Sequence, residues 1–331
     1  MEHNSEKKVK YGFYGYLTER FPSQINVDVT NRCNLSCIHC PHSVEDYHKN
    51  NPVIYLDESL NKKMVDEVAT YGKGCVQYIR YTADGEPLLH PKIYEMLLYA
   101  KENSGAVVTL TTNGTLLNEK NLDKLIKSNI DVIDISIDAH YKETYEKIRV
   151  GGSFEKVVNN VLNLLKRRGE FKDGIKIMVS FVEQEFNRQE KEKFIEFWTE
   201  SGVDNVVIRP LHSVGGSVEE IAVQMNANSD ESVRKPCIYP WERILLNSDG
   251  NLHYCPVSFG KNDIIADYRT NNIFKIWSGE MYNDLRKAHL KHSFENYPLC
   301  KGCPDWKNIC WPGESGTNYS EIIDKLKKDE C

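Results

Sequence analysis

The chain has 331 residues, of which 40% are apolar and 27% charged, and carries a formal net charge of −6. That length allows one full-sized catalytic domain with a smaller appendage, and the negative balance gives no reason to expect nucleic-acid binding. No apolar run approaches the roughly 20 residues that span a bilayer, and the opening MEHNSEKKVK lacks the apolar region of a secretory signal, so a cytoplasmic protein with no membrane partner is expected.

Residues 1–20 turn from polar to aromatic (Tyr11, Phe13, Tyr14, Tyr16) and are expected to form an N-terminal extension. From residue 24 onward, β-branched runs alternate with segments of helical period. Strands are expected at 25–29, 76–81, 107–112, 132–138, 175–181 and 205–210. Helices are expected at 57–71, 91–103, 118–128, 153–168 and 188–201, with Asp57 and Asn118 at N-cap positions. This alternation predicts an α/β fold with a parallel sheet and helices outside it, either a partial barrel or an open sheet. In both cases ligands belong at the C-terminal strand ends. The pattern changes after 210. Residues 21–210 are therefore expected to form the main domain, 211–236 a loop-like linker, and 237–331 a second unit.

Ten cysteines are distributed unevenly: three at 33–40, six between 237 and 331, and Cys75 alone between them. In a reducing compartment such clusters point to metal ligands or catalytic thiols. Cys33, Cys37 and Cys40 have Cys-x3-Cys-x2-Cys spacing on a loop directly after the first strand. Three thiolates suit a cubane iron–sulfur cluster with one iron left open. Zinc held by two of them with His39 or His42 is the alternative.

That loop resembles the signature of the radical S-adenosylmethionine (SAM) superfamily, and three further segments resemble its motifs in order. Ala83-Asp84-Gly85-Glu86-Pro87 is similar to the family's Gly-Gly-Glu-Pro turn, with Asp84 replacing the first glycine. Thr111-Thr112-Asn113-Gly114 resembles its ribose-contacting turn, and Ser136-Ile137-Asp138 with Arg149 resembles its next SAM-contacting stretch. The resemblance covers roughly residues 22–210 and implies a partial (β/α)6 barrel. It also implies a 4Fe-4S cluster on Cys33, Cys37 and Cys40, with SAM bound by Gly85, Glu86, Thr112, Asn113, Ser136, Asp138 and Arg149. A reductant such as flavodoxin or ferredoxin is the implied partner.

In the C-terminal third, Cys237 and Cys255 flank a hairpin with its turn at 247–250. Cys300-x2-Cys303, Cys310 and Cys331 follow. A structural zinc site fits this set. The segments around Cys237, Cys255, Asn272–Trp277 and Leu299–Cys303 resemble the twitch or SPASM extension of the superfamily, which carries one or two auxiliary 4Fe-4S clusters. The single-cluster aminocyclitol-dehydrogenase type is the nearest likeness, with Cys237, Cys255, Cys300 and Cys303 as ligands. Cys310 and Cys331 are then either further ligands or thiols.

Three reactions compete. One is oxidation of a secondary alcohol on a sugar or aminocyclitol-like molecule, with Arg209 orienting the substrate and Tyr81, His140 and His212 as acid/base candidates. The second is epimerisation, with Cys310 returning a hydrogen atom. The third is SPASM-type peptide modification. A non-catalytic iron–sulfur carrier or zinc-stabilised binding module is the reading outside enzymes.

Overall fold

The structure is a computed structural model, and it describes residues 12–13, 17–44, 47–82, 84–227, 234–257, 259 and 263–311. Most of the N-terminal extension, Ala83 and Cys331 lie outside the described residues.

Six strands follow the expected alternation: β1 (Gln24–Val27), β2 (Tyr78–Tyr81), β3 (Val107–Thr112), β4 (Val132–Ser136), β5 (Lys176–Glu183) and β6 (Asn205–Pro210). Each pairs in parallel with the next, so the sheet runs in chain order from β1 to β6. Helices Glu58–Tyr71, Ile93–Asn103, Glu119–Ser128, Phe154–Lys166 and Lys191–Glu200 form the crossovers. Asp57 and Asn118 cap their helices, accepting from the backbone N–H groups of Ser59 and Asn121. Each such cap stabilises by about 1 kcal/mol.

The sheet separates two apolar layers. Outward-facing residues such as Ile25, Val27, Ile79, Tyr81, Leu110, Ile133 and Val179 pack under the helices. Inward-facing Tyr78, Val132, Met178 and Val207 form a separate apolar plug. Period-two alternation then places Arg80 on the face of Tyr78 and Tyr81 on the opposite one.

The second unit extends this sheet rather than standing apart from it. Its first strand, β7 (Arg243–Leu246), pairs in parallel with β1, with Gln24 opposite Arg243. Strands β8 (Asn251–His253) and β9 (Ile264–Asp267) add antiparallel pairs beyond it, completing the order β6-β5-β4-β3-β2-β1-β7-β8-β9. Buried Glu67, on the helix Glu58–Tyr71, accepts from Tyr268 Oη at 2.9 Å and from the Ile273 N–H at 2.7 Å. Arg286 donates to the carbonyls of Pro240 at 2.9 Å and Trp277 at 3.0 Å. Buried Trp241, Trp277 and Tyr282 fill the junction, each contributing on the order of 2–3 kcal/mol of apolar burial. The linker at 211–236 is not wholly loop: Glu219–Ala227 is helical, so the expectation of a loop-like linker is corrected.

Candidate active site

The chain has a cavity of about 440 Å³ at the C-terminal ends of the parallel strands. Cys33, Cys37 and Cys40 line one side of it, and Arg80, Arg209, His212, Arg243 and Cys310 line others. The loop after β1 is built by its neighbours. Ser36 N–H donates to Val150 O at 2.9 Å and Ile38 N–H to Ile148 O at 3.0 Å. Glu86 N–H donates to Arg32 O at 2.8 Å. Gly85 makes that contact possible, because a Cβ there would lie 2.2 Å from Thr30 O and 2.4 Å from Arg32 O.

Glu86 is only 2% exposed. Its Oε1 accepts from Thr112 Oγ1 at 2.7 Å and Leu88 N–H at 3.1 Å, while Oε2 accepts from Asn113 N–H at 2.8 Å. Burial raises its pKa against those bonds. The carboxylate thus ties the second-strand turn to the third-strand turn, a role the motif alone did not reveal. Asn113 in turn reaches Asn34 Oδ1 at 3.0 Å and Cys33 Sγ at 4.0 Å. Gly85, Glu86, Thr112, Asn113, Ser136 and Arg149 all line the cavity.

Asp138 does not line it. Its backbone has φ +68°, and its carboxylate is 0% exposed and grips Arg149 at 2.9 and 2.5 Å. Arg149 then places Nη1 3.9 Å from Cys37 Sγ. Asp138 is a positioning residue, and Arg149 is the group that meets the cavity.

The three thiols respond to burial in the same direction. Cys33 is pushed up to about 12, chiefly by burial and then by Glu86. Burial also raises Cys37 and Cys40. Arg149 counters this at Cys37. Such thiols stay protonated until a metal takes them as thiolates.

A second group of four cysteines lies around the hairpin. Cys237 precedes β7, Cys255 follows β8, and Cys300 and Cys303 sit on and just after the helix Pro298–Gly302. Burial raises all four; Cys237, Cys255 and Cys300 each have at least one other of the four adding to the shift, and at Cys303 the added charge is Asp305. Cys300 reaches about 12 and Cys303 about 11. Asp263 stands beside them, accepting from Cys255 N–H at 3.3 Å and bonding His253 Nδ1 at 2.9 Å. Among the described residues no three His, Cys, Asp or Glu side chains gather as a site for a single ion. Both thiol groups match the soft donor set of an iron–sulfur cluster.

Other expected residues separate clearly. Arg209 lines the cavity and bonds Asp134 Oδ2 at 2.5 Å. Tyr81 does not line it. The residue is 0% exposed in the core, with Oη donating to Asn61 Oδ1 at 2.7 Å. Its assignment to acid/base work is corrected, because strand alternation turns it toward the helices. His140 stacks edge-on against Tyr141 and Phe197 outside the cavity. His212 lies in the cavity with its pKa lowered by burial. Val214 N–H donates to its Nδ1 at 3.2 Å, leaving Nε2 to carry the proton and donate. Sequence reasoning missed Asn26, Arg80, Asp84, Tyr239 and Arg243, all of which line the cavity. Burial and the neighbouring acid Asp28 push the Asp84 carboxyl well up. Polar residues at alternate positions of otherwise apolar strands were the signal that could have found Asn26 and Arg80.

Comparison with known proteins agrees with this architecture. Residues 27–188 match the radical SAM superfamily model, and residues 237–304 match the SPASM iron–sulfur cluster-binding domain. The chain is 32% identical over 160 residues to an AdoMet-dependent heme synthase of Methanosarcina barkeri, covering 48% of this chain and 43% of that protein. It is 35% identical over 153 residues to a GTP 3',8-cyclase of Chlorobaculum tepidum, covering 45% and 44%. The chain therefore spans under half the length of these two curated relatives. Among solved structures, BtrN in complex with AdoMet and 2-DOIA superposes with TM-score 0.58 at 19% identity, covering 86% of this chain and 94% of BtrN. Streptococcus suis SuiB bound to precursor peptide SuiA superposes with TM-score 0.62 at 15% identity, covering 92% and 73%. At these identities the likeness is one of fold. Among the described residues no helix is long and apolar enough to cross a membrane. With its barrel matched first and its cysteine-bearing hairpin unit second, the chain carries a radical SAM domain over residues 27–188 and a SPASM iron–sulfur cluster-binding domain over residues 237–304, and these two domains imply S-adenosylmethionine and 4Fe-4S clusters as cofactors.

Proposed function

We propose that the chain oxidises a secondary alcohol of a small polar molecule, sugar- or aminocyclitol-like, inside the barrel cavity. One observation carries this reading. A single cavity of about 440 Å³ is lined both by the three-cysteine loop and by polar groups of the barrel interior, Arg80, Arg209 and Asn308. Cys33, Cys37 and Cys40 are the proposed ligands of the first cluster, and Cys237, Cys255, Cys300 and Cys303 those of an auxiliary one. SAM held at the first cluster would supply the one-electron chemistry that removes a substrate hydrogen atom, and the auxiliary cluster would supply a site for the remaining electron.

The chain's own residues do the rest. Gly85, Thr112, Asn113 and Ser136 shape the SAM side, with Glu86 holding the turns together. Arg149, fixed by Asp138, sets a positive charge 3.9 Å from Cys37 Sγ. Arg209 orients a substrate oxygen, and His212 donates to it through Nε2. Asp84, whose carboxyl pKa burial and the neighbouring Asp28 raise, accepts the hydroxyl proton in its ionised form. The apolar plug beneath keeps water out of the barrel.

A second reading is favoured by one placement. Cys310 lines the cavity, whereas none of Cys237, Cys255, Cys300 and Cys303 is among its lining residues. Its thiol could return a hydrogen atom to a substrate radical, with one electron from the auxiliary cluster and one proton from solvent restoring the thiol, making the enzyme an epimerase. Incubation of anaerobic protein with SAM, dithionite and a panel of sugars and aminocyclitols in D2O distinguishes the two. Dehydrogenation gives a ketone two mass units lighter than its substrate. Epimerisation gives an isomer carrying one deuterium, and a panel without turnover alongside a modified peptide contradicts both.

A further inference from the structure

We infer that the floor of the cavity recognises neighbouring hydroxyl, or hydroxyl and amino, groups of a polyhydroxylated substrate, with Asn26 as its principal acceptor. This rests on the small-molecule reading above and adds the recognition chemistry to it.

Asn26 stands on β1, directly opposite Arg80 on β2. Its side chain lines the cavity and the residue is only 4% exposed. Yet its amide oxygen is buried and has no hydrogen-bond partner. A buried acceptor left in that state is costly, so the site is built to receive a donor. Asp134 repeats the pattern. It is 0% exposed, its Oδ2 receives Arg80 at 3.4 Å and Arg209 at 2.5 Å, and its Oδ1 is buried with no partner. Thr109, opposite Arg80 on the other side, also has a buried hydroxyl oxygen with no partner, but of this set only Asn26, Arg80 and Arg209 line the cavity.

The floor thus sets the unpartnered acceptor of Asn26 on β1 opposite the guanidinium donor Arg80 on β2, with Arg209 also lining it. A hydroxyl group both donates and accepts, so adjacent hydroxyls satisfy both kinds of partner at once. An ammonium in place of one hydroxyl also satisfies the acceptor. An apolar side chain reaching the floor would leave the Asn26 acceptor unsatisfied, which sets a specificity against it.

The test uses the anaerobic, cluster-loaded protein with SAM and reads binding rather than turnover. Calorimetric titrations with myo-inositol, glucosamine and cyclohexanol are compared for wild type, Asn26→Leu and Asn26→Asp. One of the two polyols should bind at least about tenfold tighter than cyclohexanol. Asn26→Leu should abolish that preference, and Asn26→Asp, which keeps an acceptor, should retain it. If neither polyol outbinds cyclohexanol on the wild type, or if Asn26→Leu keeps the preference, the inference is overturned. Should Asn26→Leu fail to fold, the wild-type panel and Asn26→Asp decide, with loss of preference in Asn26→Asp counting against it. A wild type that releases 5′-deoxyadenosine but shows no polyol preference overturns this inference alone. A wild type that releases none overturns the reading beneath it.

Discussion

Asp138 and Arg149 form a buried ion pair, with Arg149 Nη2 2.5 Å from Asp138 Oδ2 and neither side chain more than 8% exposed. The pair bridges the end of β4 to the cysteine loop, since the same guanidinium reaches toward Cys37. Removing one partner of such a pair leaves an uncompensated buried charge, which costs about 3–5 kcal/mol. Asp138→Ala should therefore lower the melting temperature sharply, and Asp138→Asn less so, as followed by circular dichroism. Both should also lower the iron retained on Cys33, Cys37 and Cys40. Unchanged melting in Asp138→Ala would contradict this.

Gly85 admits no side chain, with the carbonyls of Thr30 and Arg32 within 2.4 Å of any added Cβ. Gly85→Ala must push the second-strand turn away from the cysteine loop. We expect it to lose roughly four irons of about eight, with the hairpin group still loaded. Iron and sulfide analysis with Mössbauer spectroscopy reads this, and full occupancy of both clusters would contradict it.

The cysteines divide in the same assay. Cys300→Ser should remove roughly four irons, whereas Cys310→Ser should remove none. Loss of iron in Cys310→Ser, or about twelve irons in the wild type, would instead make Cys310 a ligand of a further cluster.

Much of this was legible in the chain. The β-branched runs marked all six barrel strands, and Asp57 and Asn118 marked helix starts, because these signals are local. Residues whose role depends on which face of a strand they occupy were harder. Parallel strands buried on both sides read as nearly continuous apolar runs, so Tyr81 looked available while Arg80, one residue away, did not. The joining of β7 to β1 was invisible because it pairs residues more than 200 positions apart. The helix Glu219–Ala227 was hidden by its polar, glycine-flanked surroundings. The motifs singled out Glu86 and Asp138, but only the three-dimensional contacts show that each holds neighbouring groups in position.

Asp28 gives a pH signature. Burial raises its carboxyl to about 7, against about 3.9 in an unfolded chain. Between those values the folded protein holds a proton that the unfolded chain releases. The stability Asp28 contributes is therefore fully present below about pH 4 and lost as pH rises toward 7. Asp28→Asn should remove that dependence. Its melting temperature relative to wild type should rise between pH 5 and pH 8, and a constant difference would contradict the shift.

The central claim is that three thiols on one loop hold a cluster able to cleave SAM. The direct measurement is chromatographic quantitation of 5′-deoxyadenosine from anaerobically reconstituted protein given SAM and dithionite, beside Cys33→Ala, Cys37→Ala and Cys40→Ala. Release by the wild type and by none of the variants is predicted. Release unaffected by those substitutions, or a wild type that takes up zinc in preference to iron and forms no 5′-deoxyadenosine, would contradict it.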